Sequence, residues 1–215
     1  MGILFLILFL SFGINKELVN DVRWVTQSKE YQALCNQIYS IASEKLIDSI
    51  ENDKNTNFAV ILDLDETVLD NSQYQIELHE RNESFNMDSW SKWVLREEAN
   101  LVPGVYDYIQ LLRKKNIQII FLSNRMNTRL SSTINNMKKL GVHSNSDVYL
   151  LRKDKADKKY LRRQEIFTST GRMKDFPKLS IVQYLGDAMG DFYSSDYHRF
   201  GMDQFIFPNP MYGKW

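Results

Sequence analysis

Cysteine is nearly missing from this sequence: Cys35 stands alone among 215 residues, which excludes a disulfide framework and any metal site built from several thiolates. An oxidising compartment is not excluded, because a domain of this size needs no covalent staples. Proline and glycine are scarce, at 4 and 9, so long regular elements with few breaks are expected. Net charge is missing as well, with 27 lysines and arginines against 27 aspartates and glutamates. Without a basic stripe, the electrostatic case for a nucleic-acid polymer as partner fails. The pairs Lys138-Lys139 and Arg162-Arg163 read as solvated helix faces. The apolar run Ile3 to Phe12 is too short to span a bilayer but has the length of a signal-peptide core. It lacks a preceding Lys or Arg, a clear small-x-small site after it and a cysteine for lipidation.

What is present is an ordinary globular balance, 43% hydrophobic and 25% charged. Residues 1–15 are expected to form an apolar, signal-like segment and residues 16–215 a single domain. Apolar residues at Tyr31, Leu34, Ile38, Ile41, Ala42 and Leu46 predict a helix over Ser28 to Ile50. Phe58 to Leu62 is a short unbroken apolar run, as in a central parallel strand buried on both faces. Further strands are predicted at Ile117–Leu122, Val148–Leu151, Ser180–Leu185 and Gln204–Phe207. Helices are predicted at Pro103–Lys115, Asn127–Leu140 and Lys158–Phe167, with Trp90 and Trp93 on another in the polar stretch Gln75–Asn100. Alternating strands and helices predict an α/β fold with a parallel sheet covered on both sides. Ligands of such sheets sit outside the carboxyl ends of the strands.

Chemistry-bearing residues fall at those ends. The first strand delivers Asp63-Leu64-Asp65-Glu66-Thr67, two carboxylates at i and i+2 that can converge on one cation. An EF-hand calcium loop is excluded, because Thr67 and Val68 occupy positions that would need an acid or amide and a glycine. The second strand ends in Ser123-Asn124-Arg125, a hydroxyl with adjacent N–H groups suited to phosphoryl oxygens or to an ordinary turn. The strand starting at Ser180 ends in Gly186-Asp187-Ala188-Met189-Gly190-Asp191, with acids one helical turn apart.

Together with Trp24 to Tyr31, Lys153 to Lys158 and Pro208 to Trp215, these motifs resemble the haloacid dehalogenase superfamily. The narrower likeness is to the class C non-specific acid phosphatases, the bacterial lipoprotein acid phosphatase/5′-nucleotidase family. The resemblance implies a Rossmann-like core with a small helical cap built from about 16–50 and 75–102. It implies that Asp63 attacks phosphorus to form an aspartyl-phosphate and that Asp65 acts as acid and then base. It also implies Mg2+ held by Asp63, the backbone carbonyl of Asp65, Asp187 and Asp191, with Ser123 on a phosphoryl oxygen. The second lysine of the matching motif would assist; Lys155 and Lys158 both lie there, and spacing favours Lys158. Thr168 to Leu179 departs from the family's pattern as an extra loop.

The implied substrates are small phosphomonoesters, including nucleoside 5′-monophosphates, with Tyr74, Asn124 and Tyr212 as binding residues and Trp90 or Trp93 as weaker stacking candidates. His79, His143 and His198 lie far apart and lack the Arg-His-Gly motif of histidine-type acid phosphatases. The apolar N-terminus is read as favouring a periplasmic, outer-membrane-associated or secreted protein. Membrane association through that segment and oligomerisation are left open. The rival readings are a non-catalytic storage or surface-binding relative and a cytoplasmic phosphatase with a narrow metabolite substrate.

Overall fold

The computed structural model describes residues 17–51 and 57–213, so the apolar segment at 1–15 and the last two residues of the C-terminal motif lie outside it. In chain order come α1 (Asn20–Gln27), α2 (Lys29–Glu51), β1 (Phe58–Leu62), β2 (Leu69–Asp70), α3 (Ser72–Arg81), α4 (Met87–Arg96) and β3 (Asn100–Leu101). They are followed by α5 (Val105–Lys114), β4 (Gln118–Met126), α6 (Leu130–Lys139), β5 (Val148–Arg152), α7 (Lys159–Thr168), β6 (Ser180–Gly186) and β7 (Gln204–Ile206).

The order β5-β4-β1-β6-β7 forms a five-stranded sheet in which every pairing is parallel. Alternation along β1 explains its unbroken apolar sequence: Val60 and Leu62 join one core cluster while Ala59 and Ile61 join another. Both sides of the strand are therefore covered, as a central parallel strand requires. The two clusters lie on opposite faces, one with α2 and α5, the other with α7. No helix among the described residues is long and apolar enough to cross a membrane.

The expected cap divides differently in the structure. Residues of α2 belong to the sheet's own cover, because its apolar stripe of Tyr31, Cys35, Tyr39, Ala42 and Leu46 needs a buried partner and finds β6, β7 and α5. Tyr39 stacks at 4.6 Å on Phe207 and donates its hydroxyl to the carbonyl of Thr67 at 2.6 Å, tying α2 to the loop after β1. The segment between β1 and α5 carries α3 and α4 together with the small antiparallel pair β2-β3, and α1 packs on α3.

One polar contact deep in this packing sets a stability test. Gln183 of β6 is fully buried, donates to the carbonyl of Ala42 at 2.8 Å and accepts from the Tyr108 hydroxyl at 2.5 Å. Tyr108→Phe leaves Gln183 Oε1 without its donor, and urea unfolding should register a loss of about 1–3 kcal/mol. A midpoint equal to that of the parent chain would show the contact to be of no consequence.

Candidate active site

Because β1, β4 and β6 run parallel, their carboxyl ends open on one edge of the sheet. Asp63 leaves β1 with its N–H bonded to the carbonyl of Leu185 at 2.9 Å, which seats it beside the end of β6. Asp187 leaves β6, and Asp191 closes a short 3-10 turn, Met189–Asp191, with its Oδ2 accepting from the Ala188 N–H at 3.0 Å. Ligand oxygens of Asp63, Asp187 and Asp191 all lie within 4.8 Å of one another. Lys159 Nζ bridges two of these acids, at 2.5 Å from Oδ1 of Asp63 and 2.5 Å from Oδ1 of Asp191. Asn209, in the segment after β7, donates to Asp187 Oδ2 at 2.8 Å.

Crowding the acids away from water shapes their protonation. Burial pushes the Asp63 carboxyl well above the usual range; Lys159 opposes this, and Asp191, Asp187 and Asp65 add to it. Asp187 is pushed up to about 6, by burial and then by Asp191. Burial alone would lower the Lys159 amine, but Asp191 and Asp63 outweigh it and hold the ammonium above its ordinary value. One ammonium against three carboxylates leaves the cluster short of positive charge. An oxygen-only donor set of this kind fits a hard divalent cation.

Lys158 is the residue the structure moves out of the site. It holds the N-cap position of α7 with extended backbone and is exposed, as is Lys155, while the neighbouring Lys159 is the first helical residue and is buried. The pair Arg162-Arg163 is likewise buried rather than solvated. Arg162 donates to the carbonyls of Ser123 and Leu150 and, at 2.7 Å, to Asn124 Oδ1. Arg163 donates to the carbonyls of Phe192 and Gly190, each at 2.7 Å. One helical face thus sends Lys159, Arg162 and Arg163 to the residue after β1, to β4 and β5, and to the turn after β6. The segment after α7 braces this helix from outside: Arg172 donates to both oxygens of Asp157, before α7, and to both oxygens of Glu165 within it.

At the end of β4 the pairing with β5 is irregular between Ser123 and Met126, and such a break re-aims side chains. Ser123 is buried with its Oγ accepting from the Arg125 N–H at 3.1 Å; Asn124 is exposed. Asp65 stands apart from the three-acid cluster and pairs with Arg125 at 2.8 Å and Asn71 at 3.0 Å. Tyr74 offers no open ring face: it is 1% exposed, bonded through its hydroxyl to Ser89 at 2.8 Å and packed against Trp90 and Trp93. Trp93 is buried, Trp90 is half-buried under the Arg125 guanidinium, and Tyr212 is exposed. Sequence reasoning gave no role to Lys159, Asn71, Arg125 and Asn209, and it read Arg162 and Arg163 as solvated. A helical phase placing Lys159, Arg162, Arg163 and Ile166 together at i, i+3, i+4 and i+7 was the available signal.

A protein-family model described as HAD superfamily, subfamily IIIB (acid phosphatase) matches residues 13–215. Two solved structures of the class C acid phosphatase from Bacillus anthracis, one with tungstate bound, superpose with a TM-score of 0.80 at 29% identity, covering 90% of this chain and 84% of theirs. The stem 31 kDa glycoprotein of Glycine max is 26% identical over 203 residues, which is 92% of this chain and 72% of that protein.

The cluster's tightest tolerance lies at Gly186. A Cβ there would stand 2.3 Å from Asp191 Oδ2 and 2.4 Å from its Cβ, whereas one at Gly190 would meet nothing within 4 Å. Gly186→Ala should therefore weaken divalent-cation binding, measured by calorimetric titration, by about 10–100-fold, and Gly190→Ala should leave it unchanged. Equal affinities in the two variants would refute the packing account.

Proposed function

Given that the chain belongs to the acid phosphatase subfamily IIIB of the haloacid dehalogenase superfamily, and so is a phosphomonoester hydrolase, we propose that it is a magnesium-dependent enzyme that works through an aspartyl-phosphate on Asp63. The observation that carries this reading is the Lys159 bridge between Asp63 and Asp191 with Asp187 alongside. Asp63 Oδ1 is engaged by Lys159, which leaves the other oxygen to attack phosphorus. Asp65 gives a proton to the departing oxygen and later takes one from the water that hydrolyses the intermediate. The Ser123 hydroxyl and the Lys159 ammonium hold phosphoryl oxygens, and charge neutralisation there is most of the catalytic task. Magnesium, held by Asp63, Asp187, Asp191 and the backbone carbonyl of Asp65, supplies further positive charge at the transferring group.

Nucleoside 5′-monophosphates and other small phosphomonoesters are the proposed substrates. Of the aromatic candidates, the half-buried Trp90 and the exposed Tyr212 keep solvent-accessible surface for a base or aryl group, whereas Tyr74 is packed against Trp90. The tungstate-bound relative supports the reading, tungstate being a tetrahedral oxyanion of phosphate-like shape. Export, read from the run Ile3 to Phe12, belongs to the same proposal. A non-catalytic storage role finds no support where Asp63, Asp65, Ser123, Asp187 and Asp191 are all present.

Asp63→Asn should abolish phosphate release from p-nitrophenyl phosphate, and a chelator should do the same to the parent chain until magnesium is restored. Undiminished turnover in the variant would overturn the mechanism. Between the adjacent lysines, Lys159→Met should lower kcat/KM by about 10²–10³-fold, and Lys158→Met should leave it unchanged. The reverse ranking would restore the lysine favoured by spacing.

A further inference from the structure

Asn71 sits at the N-cap of α3, where an asparagine side chain ordinarily accepts an N–H of the first turn, yet it makes no such bond. Asp70 takes the Ser72 N–H instead, at 2.8 Å. The Asn71 side chain is fully buried and every hydrogen-bonding capacity it has is filled. Its Nδ2 donates to Asp65 Oδ1 at 3.0 Å and to the carbonyl of Leu69 at 3.1 Å. Its Oδ1 accepts from Trp93 Nε1 at 2.9 Å and from the Arg125 guanidinium at 3.2 Å. Indole and guanidinium can only donate, so the amide cannot be turned the other way. Its backbone N–H donates to Glu66 Oε1 at 2.9 Å. A side chain that gives up its local role at a helix start for a fully satisfied buried junction is expected where function demands it.

The junction decides which oxygen of Asp65 is free. Two hydrogen bonds converge on Oδ1, from Asn71 Nδ2 at 3.0 Å and Arg125 Nε at 2.9 Å, and an Arg125 terminal nitrogen lies at ion-pair distance, 2.8 Å, from the same oxygen. Among the described residues Oδ2 has no hydrogen-bond partner. A carboxylic acid whose Oδ1 is saturated with donors carries its proton on Oδ2. We propose that Asn71 is a positioning residue for leaving-group protonation: it locks Asp65 with Oδ2 as the proton-bearing atom and, through Trp93, couples that orientation to α4. As the Asp63 oxygen–phosphorus bond forms and the ester bond breaks, the Oδ2–H bond breaks and its proton passes to the departing oxygen. The Asp65 carboxylate left behind is stabilised by the Arg125 and Asn71 donors already on Oδ1.

The inference rests on Asp65 being the acid, and the test separates the two ideas. For a two-step enzyme kcat/KM reports events up to departure of the leaving group. A nitrophenolate leaves without a proton, whereas an alkoxide does not. With saturating magnesium, kcat/KM is compared for p-nitrophenyl phosphate and glycerol 2-phosphate in the parent chain, Asp65→Asn, Asn71→Ala and Asn71→Ser. Asp65→Asn should lower the glycerol phosphate value by about 10²–10⁴-fold more than the nitrophenyl value. Asn71→Ala should show the same asymmetry at about 10–100-fold, and Asn71→Ser carries the same comparison if the alanine variant does not fold. Equal losses on both substrates in the Asn71 variants, or no loss, with the asymmetry intact in Asp65→Asn, would overturn the role of Asn71 alone. Symmetric losses in Asp65→Asn would remove the acid itself and the inference with it.

Discussion

Three carboxylates brought within 4.8 Å of one another in a largely buried site form the constraint around which this molecule is arranged. Like charges at that separation are tolerated only with opposing charge beside them or with protons retained. Lys159 supplies one opposing charge from α7, and the proposed divalent cation supplies the rest. Each acid also has a fixed backbone origin: Asp63 is pinned to β6, Asp191 lies against Gly186, and Asp187 is held by Asn209. The parallel sheet matters to function chiefly because it delivers these acids at a common edge from chain positions more than a hundred residues apart.

Buried cations help to hold the surroundings of that edge. Arg162 and Arg163 are stripped of most water and bind main-chain carbonyls of β4, β5 and the turn after β6, so α7 acts as a clamp on the segments carrying Ser123 and Asp191. A buried guanidinium is tolerable when its N–H groups meet acceptors, here main-chain carbonyls where the β4–β5 pairing turns irregular and past the end of β6. Arg125 supports Asp65 through side-chain contacts, to its carboxylate and to Asn71, with Trp90 along its face at 5.7 Å. The site therefore has two cationic supports, one beside the three-acid cluster and one beside the proposed proton donor.

Much of this was legible in the chain. The strand Phe58–Leu62 and the acids after it could be read from a short apolar run and the chemistry at its end, and the predicted sheet agrees closely with the observed one. The lysine was misread for a reason of phase. Adjacent Lys158 and Lys159 differ by a single position, and the helix starts at the second. Hydrophobicity gives little help on this helix, because its exposed side carries Tyr160 and Leu161 while its buried side carries a lysine and two arginines. Polarity read as solvent exposure inverts the helix. Asn71 was hidden differently: its partners Trp93 and Arg125 come from α4 and β4, and only their convergence distinguishes it from an ordinary helix-starting asparagine.

The shared face of α7 also governs where this chain can change length. Inserting or deleting one residue between Lys159 and Arg162 would turn everything beyond it by about 100° around the helix axis. Both arginines would then face away from the carbonyls they serve, a harsher outcome than losing either side chain singly. Beyond Thr168 the helix has ended, and the segment that follows leaves the three cations in register while Arg172 reaches back to Asp157 before the helix and to Glu165 within it. A change of length beyond the far end of α7 would therefore leave undisturbed the angular spacing on which the cluster relies, and the brace from Arg172 lies in that tolerant stretch.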